Sequence, residues 1–297
     1  MKIIITGSLG HISKPLTLSL VEKGHSVTVI SSSTERKQEI EDLDATAAIG
    51  SIADVEFLTK TFSGADAVYT MVPPGNYTDH NFDLHAYFIN QGSAYAAALK
   101  ASGVRRVVNL STIGGNLAKG NGILAGAHEV EKILNELPSD VTVTHMRPNS
   151  FYYNLLGYVP VIKSMGFIAA NYGGEGIIPW VAPADIAAAI AEELTAVSTG
   201  RKIRRVGSED LSGNETARIL GEAIGKPDLK WIVLSDEEAL QNLITVGLNP
   251  TIAAGLIEMY SALRTGLLAE DYYNNKPAMG KVKMTDYATE FALAYHQ

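Results

Sequence analysis

The sequence predicts an α/β protein, a doubly wound parallel sheet followed by a smaller C-terminal α/β lobe. Three observations carry this reading. Short β-branched runs alternate with helical stretches through the first half of the chain. A glycine-rich turn follows the first of those runs within the opening ten residues. The alternation becomes less regular after about residue 150. Apolar runs separated by helices imply parallel strands joined by right-handed crossovers and covered on both faces.

Taken in order, Ile3-Ile4-Ile5 reads as a buried first strand, and Ile12, Leu16, Leu20 and Val21 recur at helical spacing. Ser26 to Ile30 is a second strand and Ala45 to Ile49 a short third. Ala67 to Val72 is a fourth, ended by Pro73-Pro74-Gly75. An alanine-rich helix runs from about His85 to Ala101 and is closed by Gly103. Arg106 to Leu110 and Val141 to His145 are the fifth and sixth strands. Ala182 to Val197 is an apolar helix expected to return and cover the sheet. Ser212 with Glu215, and Ser235 with Glu238, are capping-box signals for two further helices. Leu229 to Leu234 reads as a strand between them, Pro250 to Leu267 as a helix, and Asp286 to Tyr295 as a last helix.

Composition narrows the classes. The chain has 297 residues, 24 Lys+Arg against 32 Asp+Glu, a net charge of -8 and 46% hydrophobic residues. These values exclude a disordered or collagen-like chain. With no cysteine, disulfide staples, thiolate nucleophiles, Cys-ligated zinc and iron–sulfur clusters are excluded. The acidic balance argues against a nucleic-acid partner, which would need phosphates neutralised. The apolar run at Ile3 to Ile5 is too short for a signal peptide, and Pro160 and Lys163 break the longest apolar stretch. A soluble cytoplasmic protein, monomer or homodimer, is expected.

Gly7-Ser8-Leu9-Gly10-His11-Ile12-Ser13 follows a strand and opens a helix, the context a phosphate-binding loop requires. Gly7 permits the tight turn, and Gly10 lets the backbone approach a diphosphate lying at the helix N-terminus. Leu9, His11 and Ile12 complete the predicted cradle. The third small position is Ser13, and Pro15 falls in the first helical turn, where a missing N–H is harmless. The second strand ends in Ser31-Ser32-Ser33-Thr34, with Arg36 and Lys37 behind and no carboxylate where a ribose 2′-OH would need one. Hydroxyls and a guanidinium suit a 2′-phosphate, so NADP(H) is favoured over NAD(H). Residues 1–150 are therefore read as a dinucleotide-binding domain and 151–297 as a substrate lobe, with 182–207 returning to the first sheet.

The chain resembles the NmrA-like, atypical short-chain dehydrogenase/reductase group, which includes NAD(P)H-dependent quinone and azo-dye reductases. The resemblance lies in Thr6 to Ser13, Gly50 to Asp54 with Phe57-Leu58, and Gly64 to Val68 running into Val72-Pro73-Pro74. It continues in Gly103 to Gly114, Met146 to Phe151 with Asn154, and Pro179 through Pro183 to Ala187. It implies a cleft between the lobes, with the nicotinamide over the strand ends near Val72-Pro73-Pro74 and Ser111-Thr112, and with Met71, Val72 and Pro73 among the residues that contact the cofactor. Two departures stand out. The third loop glycine is Ser13, and the Tyr-x-x-x-Lys pair of the conventional enzymes is absent; its nearest counterpart is His128 with Lys132.

His128 is the first candidate for a general acid, because an imidazole titrates near neutrality. Its helix is expected to turn Val130, Ile133, Leu134 and Leu137 inward, and His128, Glu131 and Lys132 outward. Ser111 and Thr112 end the fifth strand, where related enzymes place a hydroxyl donor. Phe151, Tyr152, Tyr153 and Tyr158 form an aromatic cluster that either packs the core or stacks on a flat acceptor, and Tyr152 or Tyr153 could supply the missing phenol. Asp185 reads as a helix cap. Arg105-Arg106 and Arg204-Arg205 read as solvated charge. Asp79, His80, Asp83 and His85 match no ligand spacing, so no metal is expected. The leading reading is an NADPH-dependent oxidoreductase acting by hydride transfer on a small aromatic or quinone-like acceptor. The alternatives are a non-catalytic NADP(H)-binding redox sensor and, ranked last, a sugar-nucleotide epimerase or dehydratase.

Overall fold

Alternation within the first strand decides the layering. Ile3 and Ile5 face one side of a sheet and Ile4 the other, and all three are fully buried. In the computed structural model, which describes residues 1–297, the strands are β1 (Lys2–Ile5), β2 (Ser26–Ser31), β3 (Thr46–Ile49), β4 (Ala67–Thr70), β5 (Arg106–Leu110) and β6 (Thr142–Pro148). They are followed by β7 (Ser150–Phe151), β8 (Ile168–Ala170), β9 (Ile177–Val181), β10 (Arg201–Val206), β11 (Glu209–Ser212) and β12 (Trp231–Val233). The helices are α1 (Ser13–Glu22), α2 (Arg36–Glu41), α3 (Val55–Phe62), α4 (Leu84–Ser102), α5 (Ala125–Asn135) and α6 (Val159–Met165). The remaining six are α7 (Pro183–Thr195), α8 (Gly213–Ala223), α9 (Asp236–Thr245), α10 (Pro250–Arg264), α11 (Glu270–Asn274) and α12 (Met284–His296).

Seven strands form one sheet in the order β10-β6-β5-β4-β1-β2-β3. Every neighbouring pair in it is parallel. The predicted doubly wound sheet is thus present. On one face α1 and α7 supply Leu16, Leu20, Ile186, Ile190 and Leu194. On the other, α3, α4 and α5 supply Leu58, Phe62, Tyr95, Leu99, Val130 and Leu134. A third core, built round Tyr152, Trp180, Leu220, Trp231, Leu263 and Phe291, fills the C-terminal lobe. Two small sheets, β11-β9-β7 and β12-β8, belong to that region.

The local signals hold where they are purely local. Both capping boxes form, at Ser212/Glu215 and at Ser235/Glu238. Gly103 closes α4 in the left-handed conformation. The strand read at Leu229 to Leu234 shortens to β12. Asp185 is not the cap of α7: Ala182 holds that position, with Pro183 at the start of the helix. Asp185 instead accepts from Ser208 Oγ (2.6 Å), Lys281 N (3.0 Å) and Val282 N (3.2 Å), tying the segment before α12 to α7 and to the turn between β10 and β11. Of the basic residues read as solvated charge, Arg105 is exposed and pairs only with exposed Asp140, whereas Arg106, Arg204 and Arg205 are structural. Arg106 donates to Leu194 O, Arg204 pairs with Glu192 and Glu193, and Arg205 pairs with Asp271.

A chain of side-chain hydrogen bonds crosses the middle of the sheet. Thr70 donates to Asn109 Oδ1 (3.1 Å), and Asn109 Nδ2 donates to His145 Nδ1 (3.2 Å). These partners place the ring proton on Nε2, facing Asn135 Oδ1 at 3.1 Å. Burial pushes the His145 imidazole down from 6.5 to about 4, with Glu131 opposing the shift. The unfolded chain therefore binds a proton that the native state refuses between those two values. Stability is fully present above pH 6.5 and falls as the pH drops towards 4, by about 3 kcal/mol from this group alone. Urea unfolding across that range should show the loss, and His145→Gln should flatten it.

Candidate functional site at the carboxyl ends of the strands

The glycine loop begins where β1 ends. Gly7 has φ +87°, and a Cβ there would lie 2.8 Å from Ser13 Oγ and 3.1 Å from the Met71 side chain. Ser13, at the position usually held by a third glycine, is buried and donates to Thr6 O (3.0 Å). Its hydroxyl thus ties helix to strand where a glycine would only let them approach. Gly10 N donates to Gly7 O (3.2 Å) and Ser8 N to Ile30 O (3.1 Å), which closes the turn. The backbone N–H groups of Leu9, His11 and Ile12 donate to no acceptor in the chain. Three unpaired amides at the positive end of a helix form a cradle that fits a diphosphate. Pro15 lies in the first turn of α1, as its missing N–H allows.

The serine loop adjoins this turn. Ser8 Oγ donates to Ser31 Oγ (3.0 Å), and Ser33 N donates to the same Ser31 oxygen (3.2 Å). Ser32 is exposed and Ser33 half-buried. Arg36 opens α2 and pairs with Glu39 (2.6 Å), both exposed; such a pair holds the guanidinium weakly. Met71, Val72 and Pro73 are half-buried at the end of β4. Met71 is held from both sides, its N–H donating to Thr6 Oγ1 (3.0 Å) and its carbonyl accepting from Tyr95 (2.7 Å).

Ser111 and Thr112 follow β5. Ser111 is buried and donates to Glu131 Oε1 at 2.5 Å. Arg147 grips the same carboxylate with two bonds, Nε to Oε1 (2.9 Å) and Nη2 to Oε2 (2.6 Å). Arg147 also reaches Asp271, which Arg205 holds through two further bonds. Hydrogen bonding from Arg205, then the charges of Arg205 and Arg147, keep the Asp271 carboxyl below its usual range. This corrects the outward placement of Glu131. The buried stripe of α5 is Ala127, Val130, Glu131 and Leu134, so Glu131 lies inside it. Thr112 is half-buried, and its side chain enters none of these bonds.

His128 is half-buried in the first turn of α5, and its Nδ1 donates to Gly115 O (2.9 Å). Nε2 is then the ring atom left to exchange a proton. Tyr152 is withdrawn from the candidates. It is fully buried in the C-terminal core against Trp180 and Tyr287, and its hydroxyl donates to Val282 O (3.3 Å). Tyr158 joins the same core, bonded to Tyr172. The aromatic cluster therefore divides. Tyr153 turns the other way and stacks on His11 of the glycine loop, with centroids 4.3 Å apart and an interplanar angle of 14°.

Sequence reasoning missed three features here. One is the Glu131–Arg147–Asp271 network, signalled only by Arg147, the one Arg, Lys, Asp or Glu in β6. Another is the His11–Tyr153 stack. The third is Asn249, which caps α10 while donating to Tyr77 O (2.8 Å) through its N–H and to Asp79 O (2.9 Å) through its side chain, pinning the segment after β4. A cleft of about 590 Å³ lies beside that segment, lined by His80, Phe82, His85, Gly126, Asn249 and Glu258 among others, but by none of the predicted site residues. Asp83 caps α4. No helix is long and apolar enough to cross a membrane.

Fold and loop together define a doubly wound α/β protein whose strand ends carry a phosphate-type turn. The NmrA-like family matches residues 1–270, and the chain belongs to that family. An NAD(P)H azoreductase of Xenophilus azovorans is 25% identical over 268 residues, covering 90% of this chain and 89% of the relative. The triphenylmethane reductase of Citrobacter sp. superimposes with a TM-score of 0.80 at 20% identity, covering 99% of each chain. An NADPH-dependent quinone oxidoreductase of Escherichia coli superimposes with a TM-score of 0.77 at 20% identity, covering 97% of this chain and 98% of the other.

Proposed function

We propose that the chain is an oxidoreductase that takes NADPH and reduces a small, flat, conjugated acceptor, quinone-like or azo-like, without metal. The carrying observation is the cradle of unpaired amides at Leu9, His11 and Ile12, placed at the end of β1. Relatives named as reductases of dyes and quinones support the reaction class. Gly7, Gly10 and the three amides would hold the diphosphate. Ser31, Ser32, Ser33 and Arg36 would receive the 2′-phosphate, which supports NADP(H) over NAD(H). Met71, Val72 and Pro73 would floor the nicotinamide. When bound, the dinucleotide supplies the hydride.

The chain's own residues have narrower tasks. Ser111 spends its single O–H on Glu131, so towards a ligand it offers lone pairs only. Thr112 keeps a hydroxyl that can donate to a growing negative charge. His128, its Nδ1–H held by Gly115 O, can hand a proton from Nε2 to the reduced acceptor when the ring carries both protons. His128→Gln should lower kcat by about a hundredfold, with NADPH affinity kept. Purified protein should oxidise NADPH with at least one member of a quinone and azo-dye panel; binding of NADPH with no turnover on any of them overturns the proposal. That outcome would favour the sensor reading, which the committed Ser111 hydroxyl and the sealed Tyr152 also support.

A further inference from the structure

We propose that the His11–Tyr153 stack is a clasp over the glycine loop, so that a dinucleotide held there leaves only after the two rings part. The inference rests on the cofactor reading above. Two separate stretches of chain meet at this point. His11 belongs to the loop itself, and its N–H is one of the three unpaired amides, so fixing its ring also fixes its backbone. Tyr153 comes from the turn after β7, and its ring lies nearly parallel to that of His11 at 4.3 Å. Phe151 supports Tyr153 from the side, with centroids 5.1 Å apart.

The chemistry of the pair suits a diphosphate neighbour. Burial, aided by Tyr77, pushes the Tyr153 phenol up to about 12. It therefore stays uncharged across the neutral range and does not repel phosphate oxygens. A stacked aromatic pair contributes stabilisation beyond its buried area, enough to slow a dissociation step severalfold.

Stopped-flow fluorescence of bound NADPH, chased with excess NADP⁺, reads the release rate in the full-length protein. Tyr153→Leu keeps apolar bulk and removes the stack; release should become about two- to tenfold faster. His11→Ala should do the same, and the double variant should be no faster than either single one, because both remove one contact. Tyr153→Phe preserves the ring and should release at the wild-type rate. An unchanged rate in Tyr153→Leu, or a double variant whose effect is the product of the two, overturns the clasp. A wild-type protein showing no NADPH fluorescence change overturns the cofactor reading beneath it.

Discussion

Gly10→Asp is expected to abolish NADPH binding while leaving the fold intact. A Cβ at Gly10 would lie 3.2 Å from Gly7 O, so the loop backbone would have to give by a few tenths of an ångström. The carboxylate is the damaging part. It would stand among the amides of Leu9, His11 and Ile12, satisfy them itself and repel a diphosphate. Affinity should fall by a hundredfold or more, which corresponds to about 3 kcal/mol. Gly10→Ala supplies the steric control and should lose far less. Calorimetric titration with NADPH measures both, and thermal unfolding checks that the variants remain folded. If the aspartate variant binds NADPH as tightly as the wild type, the cofactor cradle is elsewhere.

The second large effect is on stability. Glu131→Ala removes the carboxylate that Arg147 grips twice inside the protein, where Arg147 is 8% exposed. Asp271 remains, but at 3.2 Å and shared with Arg205. Leaving a buried guanidinium underpaired costs about 3–5 kcal/mol, a large part of the 5–15 kcal/mol that ordinarily separates native from unfolded. Replacing both partners together, as Glu131→Leu with Arg147→Met, removes the buried charges and should recover much of the loss. Chemical denaturation of the single and double variants measures the contrast. A single variant within about 1 kcal/mol of wild type would show the pair to be solvated in solution.

The parts of the molecule legible in the sequence are those set by neighbours along the chain. Ile3-Ile4-Ile5 could be read as a strand because both faces of it needed cover. Ser212 with Glu215 could be read as a helix start because the bonding partners are three residues apart. The glycine loop was legible for the same reason. The site was less so. Glu131 was assigned to the solvent face because the apolar stripe was drawn through Ile133; the buried stripe passes through Ala127 instead, and Glu131 falls on it. A charge can lie there only because Arg147 arrives from β6, and nothing local announces that. Tyr152 and Tyr153 are adjacent and chemically alike. One is sealed in the lobe core and the other stacks over the loop, a division decided by which element passes on each side. Asp185 looked like a cap because caps are local, whereas its partners near residues 208 and 281 are not.

The outer strand β10 has a bearing on how the chain is made. It supplies the last rung beside β6, and its residues, Arg201–Val206, lie beyond the two-thirds point of the polypeptide. Until they emerge from the ribosome, β6 is a naked edge carrying Arg147 without Asp271 to help hold it. Exposed edges invite pairing with other chains. Nascent or truncated products ending near residue 150 are therefore expected in inclusion bodies or in the grip of chaperones, and any shortened form made for expression should run past that strand.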